Sequence, residues 1–163
     1  MACRGVIFAI ENDVAAALLA APNDDEVRAI SGRVEEEWNT DFLAEMDKSW
    51  DAMHRALSDG TLDYAAGTPP LNRAILGGTH LYKGDDYIIT LVDQAEVPAI
   101  AVALAAISDA AMRERYKRIV PSDYAPEYGD KDRDYTVGYF RDVAELYAKA
   151  AKAGRSVVFS VDQ

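Results

Sequence analysis

An α+β fold, built as a small mixed β-sheet flanked by several α-helices, is predicted by three features of the sequence. Short runs rich in β-branched and aromatic residues stand at Val6 to Ile10, Tyr87 to Val92 and Val157 to Val161, and such residues suit a pleated, half-buried surface. Between them lie long stretches whose apolar residues recur every three or four positions, the period of an amphipathic helix. Strand and helix alternate too sparsely for a doubly wound parallel sheet. The chain has 163 residues, of which 50% are hydrophobic. That is enough for one substantial core and short for two, so a single domain over residues 1–163 is expected.

In Val6 to Ile10, Val6, Phe8 and Ile10 face one side and Ile7 and Ala9 the other. Both faces are apolar, which predicts a central strand. Asn12 or Asp13 offers a cap for a helix to about Ala20, and Pro22 ends it. Asp25 offers a cap for a second helix with Val27, Ile30, Val34 and Trp38 on one stripe, and the acidic run Glu35–Glu36–Glu37 reads as its solvated face. Asp41 offers a cap for a short turn. Asp47 offers one for a helix from Lys48 to Leu57, with Trp50, Met53 and Ala56 or Leu57 as the buried stripe. Gly67, Thr68, Pro69 and Pro70 form a loop, and Gly77–Gly78 permits a tight turn after the apolar segment Leu71 to Leu76.

Beyond the Tyr87 strand, Asp93 and Glu96 have capping-box-like spacing, and Pro98 suits the first turn of a helix reaching Ile107. Met112, Tyr116 and Ile119 continue a helical stripe that Pro121 stops. Ser122 to Asp134 reads as a polar, tyrosine-containing loop. Phe140, Val143, Tyr147, Ala150 and Ala151 mark the last long helix, with Lys149 and Lys152 near its carboxyl end and Gly154 at its exit.

Charge and composition exclude whole classes of function. Lys and Arg total 17 against 28 Asp and Glu, a formal net charge of -11. Such a chain repels nucleic-acid backbones, so no nucleic-acid partner is expected. The basic group Arg113, Arg115, Lys117 and Arg118 stands close to Asp123, Glu127, Asp130, Asp132 and Asp134, which weakens any case for base stacking on the tyrosines of the last third. No window approaches the roughly 20 apolar residues that span a bilayer, and the amino terminus lacks the pattern of a signal peptide. With a single cysteine, Cys3, no intramolecular disulfide can form, and a cytoplasmic location is expected.

The search for chemistry is short. The only histidines are His54 and His80. There is no HExxH, Cys pair, phosphate-binding glycine loop or GxSxG elbow, so neither metal nor cofactor is expected. The best polar cluster is Asp47, Asp51 and His54, which spacings of four and three place on one side of a helix beside Trp50. A carboxylate–imidazole pair can orient His54 for acid–base work. The same arrangement serves equally well as a cap and a local hydrogen bond. Arg73, between the prolines and the double glycine, suits either an anionic ligand or one loop-pinning ion pair.

These segments carry a family resemblance. Asp47-Lys48-Ser49-Trp50-Asp51-Ala52-Met53-His54 resembles the DKxWDxLH segment of the YfbM-like family, an uncharacterised bacterial family described as a domain of unknown function. Met53 stands where the family more often has Leu, a change a core accepts. Pro70 through Gly78 resembles the family's PLxxAxxGG-like segment, and Tyr139 through the last strand is similar to its carboxyl end. The resemblance covers nearly the whole chain and implies a compact α+β fold. It implies no catalytic residue, substrate or cofactor. It singles out Trp50, Asp51, His54 and Arg73 as one packed constellation.

Three functions fit the sequence. The first is a small domain that binds a protein or small ligand without chemistry of its own. The second is a hydrolase-like acid–base enzyme using His54 with Asp47 or Asp51. The third is a purely structural or inhibitory partner protein. The interaction candidates are Asp47, Trp50, Asp51, His54 and Arg73.

Overall fold

The computed structural model describes residues 3–121, 124 and 129–163. The expected first strand is β1 (Gly5–Ile10), followed by α1 (Asn12–Ala20) and α2 (Asp24–Glu37). A 3₁₀ turn over Thr40–Phe42 leads into β2 (Leu43–Asp47) and α3 (Trp50–Leu57). A second such turn, Leu71–Arg73, precedes β3 (Thr79–His80), β4 (Tyr87–Val92), α4 (Val97–Ala105) and α5 (Asp109–Tyr116). The chain closes with α6 (Asp130–Ala153) and β5 (Ser156–Asp162).

The strands form one sheet in the order β2-β1-β5-β4-β3. The α+β class and the flanking helices are as expected, but among the described residues the sheet is not mixed: all four pairings there are antiparallel. Long helical connections leave room for parallel crossovers; of the two strands that complete the antiparallel set, β2 lacks a strand-like composition and β3 has only two residues.

The alternation in β1 divides the core as its sequence requires. Ile7 and Ala9 join Val157, Phe159 and Val161 against α3, α4 and α6. Phe8 and Ile10 join Ile89, Leu91 and Val158 against α1 and α2. Helices therefore cover both faces of the sheet.

Local capping departs from expectation in several places. Asn23, rather than Asp25, caps α2, its Oδ1 accepting the Glu26 N–H at 3.0 Å. The Asp24 carboxylate accepts from Lys83 and Gly84 N–H groups (3.1 and 3.0 Å), tying α2 to the loop before β4. Glu11 precedes α1 without a side-chain cap. The Glu96 side chain leaves the expected capping box and pairs with Arg73. Glu35 is half-buried, accepting from Ser160 Oγ at 2.8 Å, while Glu36 and Glu37 are exposed.

The expected loop Ser122 to Asp134 is shorter than its polarity suggested, because Asp130–Asp134 already belong to α6. Asp130 and Asp132 complement the helix dipole there, and Arg133 donates to Asp130 at 2.9 Å. Ser122, Asp123 and residues 125–128 lie outside the described residues. The double glycine meets a packing demand: a Cβ at Gly77 would come within 2.1 Å of the Asn72 carbonyl oxygen, and one at Gly78 within 2.7 Å of that of Leu91.

Candidate functional site

The five residues singled out by sequence do not converge on one another. Asp47 ends β2 in the left-handed region, with φ 46, so it does not cap α3. Ser49 occupies that position, without a side-chain cap bond. The Asp47 carboxylate lies 3.4 Å from Arg4 Nε. The neighbouring Lys48 N–H donates to Tyr135 Oη at 3.3 Å. Burial first, and then Asp47, pushes the Tyr135 phenol above its ordinary pKa.

Trp50 is buried. Its Nε1 donates to the Cys3 carbonyl at 2.9 Å, and its ring is tilted against Phe159. The Asp51 carboxylate turns to Arg55, accepting from Nε at 2.6 Å, not to His54. Arg73 lies against Glu96 on the turn before α4: Nη2 donates to Oε2 at 3.1 Å, and Nε sits 2.7 Å from Oε1 without the alignment of a hydrogen bond. Its Nη1 donates to the Gly77 carbonyl at 2.8 Å. The arginine thus staples the double-glycine turn to the following helix.

His54 is 1% exposed, and its Nε2 lies 3.1 Å from the Asp63 carbonyl oxygen. A carbonyl accepts only, so Nε2 carries the proton in this contact. Burial lowers the His54 pKa and outweighs the opposing effects of the Asp63 bond and the Asp51 charge.

Between the lowered folded value and the ordinary value near 6.5, the unfolded chain takes up a proton that the folded chain refuses. Stability therefore falls as pH drops through that window. Thermal unfolding of the wild type is expected to shift downward between about pH 7 and about pH 5.5, and His54→Gln should lose part of that shift while costing about 1 kcal/mol at neutral pH. Equal pH dependence of the two proteins would contradict a neutral, buried imidazole.

A second polar cluster, centred on Arg55, was not legible as a site. The Arg55 side chain is 5% exposed. Its Nη1 is buried without a hydrogen-bond partner, and its guanidinium stands 5.4 Å from the Tyr124 ring centroid. Tyr124 donates to Asp132 Oδ2 at 2.7 Å, and Tyr116 donates to the same oxygen. Burial, reinforced by Asp132, raises both phenols, which keeps them protonated donors. Tyr116, Tyr124 and Arg133 border a cavity of about 380 Å³. The one local signal for this cluster was the i,i+4 spacing of Asp51 and Arg55.

A second concavity lies between the outer edge of β2 and α6. It encloses about 430 Å³ and is bordered by Trp38, Ala44, Glu45, Tyr139, Asp142 and Glu145, among others. Among the described residues β2 pairs with β1 alone, so its other edge has no strand partner there. Trp38 is 41% exposed and stands edge-on to Phe8. It closes α2 in the left-handed region, φ 44 and ψ 52, where glycine is the preferred residue and a bulky one is strained. Among the described residues there is no group of three His, Cys, Asp or Glu able to hold a metal. No helix among them is long and apolar enough to cross a membrane.

These features define an α+β domain of antiparallel sheet covered by helices on both faces, with a groove along one sheet edge. The chain belongs to the family whose model is described as a domain of unknown function, DUF1877, which matches residues 1–160. The fold is similar to that of a protein of unknown function, YfbM from Escherichia coli, with a TM-score of 0.67 at 20% identity over 97% of this chain and 99% of that one. The YfbM-like membership expected from the Trp50 and Gly77 segments therefore holds. No curated protein matches the chain.

Proposed function

We propose that residues 1–163 act as one non-catalytic cytoplasmic domain that binds a partner protein in the groove between β2 and α6. The observation that carries this reading is Trp38. A large aromatic ring is held half out of the surface, at the rim of the groove, on a backbone conformation that glycine would adopt without strain. Strain of about 1–3 kcal/mol at such a position persists where something else depends on it, and exposed tryptophans beside a cleft are frequent anchors of protein interfaces.

The α3 residues support the same reading from the other side. His54 is buried against a backbone carbonyl and Asp51 is committed to Arg55, an arrangement suited to scaffolding rather than proton transfer. Asp47, Trp50, Asp51, His54 and Arg73 then serve the function by holding α3 and the end of β2 in place. The single cysteine fits a reducing compartment.

Trp38→Gly is the sharpest variant, since glycine suits the left-handed backbone and preserves the turn. Peptides selected from a randomised displayed library on the wild-type chain are expected to lose about tenfold or more in affinity on Trp38→Gly. They should also shift the backbone amide resonances of residues 43–47. Selected peptides that bind the variant equally well, or that shift only α3 or the cavity beside Tyr124, would defeat the proposal.

A further inference from the structure

We infer that the occupant of this groove is an extended, lysine- or arginine-bearing segment of a partner protein, which adds to the outer edge of β2 as a sixth strand. The inference rests on the groove reading above and adds the partner's chemistry and its mode of binding.

The first argument is the edge itself. β2 occupies one end of the sheet; an edge strand presents backbone N–H and C=O groups that can pair with another extended chain, here those before the Met46 carbonyl, which already accepts from Ser49. α6 runs beside it and supplies the opposite wall. Tyr139, Asp142, Leu146 and Lys149 all border the groove, at spacings of three and four that keep them on one helix face. From Tyr139 to Lys149 the helix rises about 15 Å, close to the length of a five-residue strand. The groove is therefore the size of one added strand as long as β2.

The second argument is charge. Glu45, Asp142 and Glu145 border the groove with a single ammonium, Lys149, which already stands 3.8 Å from Glu145. Among the described residues neither Glu45 nor Asp142 has an ion-pair partner. A basic segment supplies the missing charge, and Trp38 and Tyr139 bring aromatic rings to the border of the groove for its aliphatic stems and cationic heads.

The same charges argue against the other obvious occupant, a second copy of this chain. Glu45 is the middle residue of β2. An antiparallel two-fold pairing of β2 with its copy, centred on the strand, would set Glu45 opposite Glu45, a destabilising juxtaposition, on molecules that each carry a net charge of -11. A charged residue at a sheet edge is a usual guard against such pairing. Here the guard repels like strands and admits a cationic one.

The test uses the full chain and three short capped peptides. The first alternates lysine and valine, the second alternates glutamate and valine, and the third is the lysine peptide with N-methyl groups on alternate backbone nitrogens along one edge. Amide resonances and amide exchange of residues 43–47 are followed in the wild type and in Glu45→Lys. The lysine peptide is expected to shift these amides and slow the exchange of those facing outward. Affinity should fall about tenfold or more on Glu45→Lys, with the glutamate peptide and with the N-methylated peptide. Equal binding of the glutamate or N-methylated peptide would overturn strand addition by a basic segment, yet leave the groove reading intact if β2 and α6 resonances still move. Concentration-dependent shifts of the β2 amides without any peptide, together with dimers in sedimentation, would assign the edge to a second copy and overturn the inference. Silence of β2 toward the lysine peptide, while library-selected peptides do move it, would also overturn the inference alone. If both lysine and library-selected peptides leave the groove unmoved, the groove reading falls with it.

Discussion

Trp50→Ala is expected to destabilise the protein by about 3–5 kcal/mol, a large share of the total stability of a domain this size. The indole is 6% exposed and packs on Phe159 of β5, while its Nε1 holds the Cys3 carbonyl just before β1. A Cβ at Gly5 would meet Trp50 Cδ1 at 3.0 Å, so the ring also fills the space that glycine leaves beside the first strand. Truncation opens a cavity against the sheet and removes the donor from a backbone carbonyl. Trp50→Phe separates the two losses: it keeps most of the apolar volume and should cost less than half as much. Urea unfolding followed by circular dichroism gives both values. A midpoint for Trp50→Ala close to that of the wild type would mean that the indole does not anchor α3.

Much of this architecture is legible in the sequence. β1, β4 and β5 are rich in valine, isoleucine and phenylalanine, and the two faces of β1 divide between the two cores as the alternation demands. β2 was not readable, because Leu-Ala-Glu-Met-Asp contains three residues that strands disfavour. Pairing with β1, not propensity, makes it a strand. The same composition conceals the groove, whose walls come from the turn after α2, from β2 and from α6, brought together only by the fold. Arg73 stands out in the sequence by its place between the prolines and the glycines, but Glu96, its partner, lies 23 positions away. Trp50 and His54 lie on α3 as the helical spacing predicts, but Trp50, Asp51, His54 and Arg73 are not linked as one constellation. Each meets a different partner, and spacing along one helix carries no information about those partners.

Asp51→Ala is expected to cost about 3 kcal/mol, more than its half-exposed position at the start of α3 would suggest. The cost arises at Arg55. That guanidinium is buried, one of its terminal nitrogens already lacks a hydrogen-bond partner, and the Asp51 carboxylate is its only ion pair among the described residues. Removing the carboxylate strands a positive charge in a low-dielectric setting, the costliest way to break a buried pair. Contact with one side of the Tyr124 ring offsets only part of this. Arg55→Met should behave in the opposite way. It fills the same space without a charge and leaves Asp51, which is 27% exposed, free to turn toward water, so its cost should stay within about 1 kcal/mol of wild type. The decisive protein is the double variant. If the penalty belongs to the stranded charge, Asp51→Ala combined with Arg55→Met should be more stable than Asp51→Ala alone, a non-additivity of about 2 kcal/mol in a double-mutant cycle. Additive losses would show that Asp51 stabilises α3 by itself, through the helix dipole at its first turn, and that Arg55 is held by its surroundings without the carboxylate.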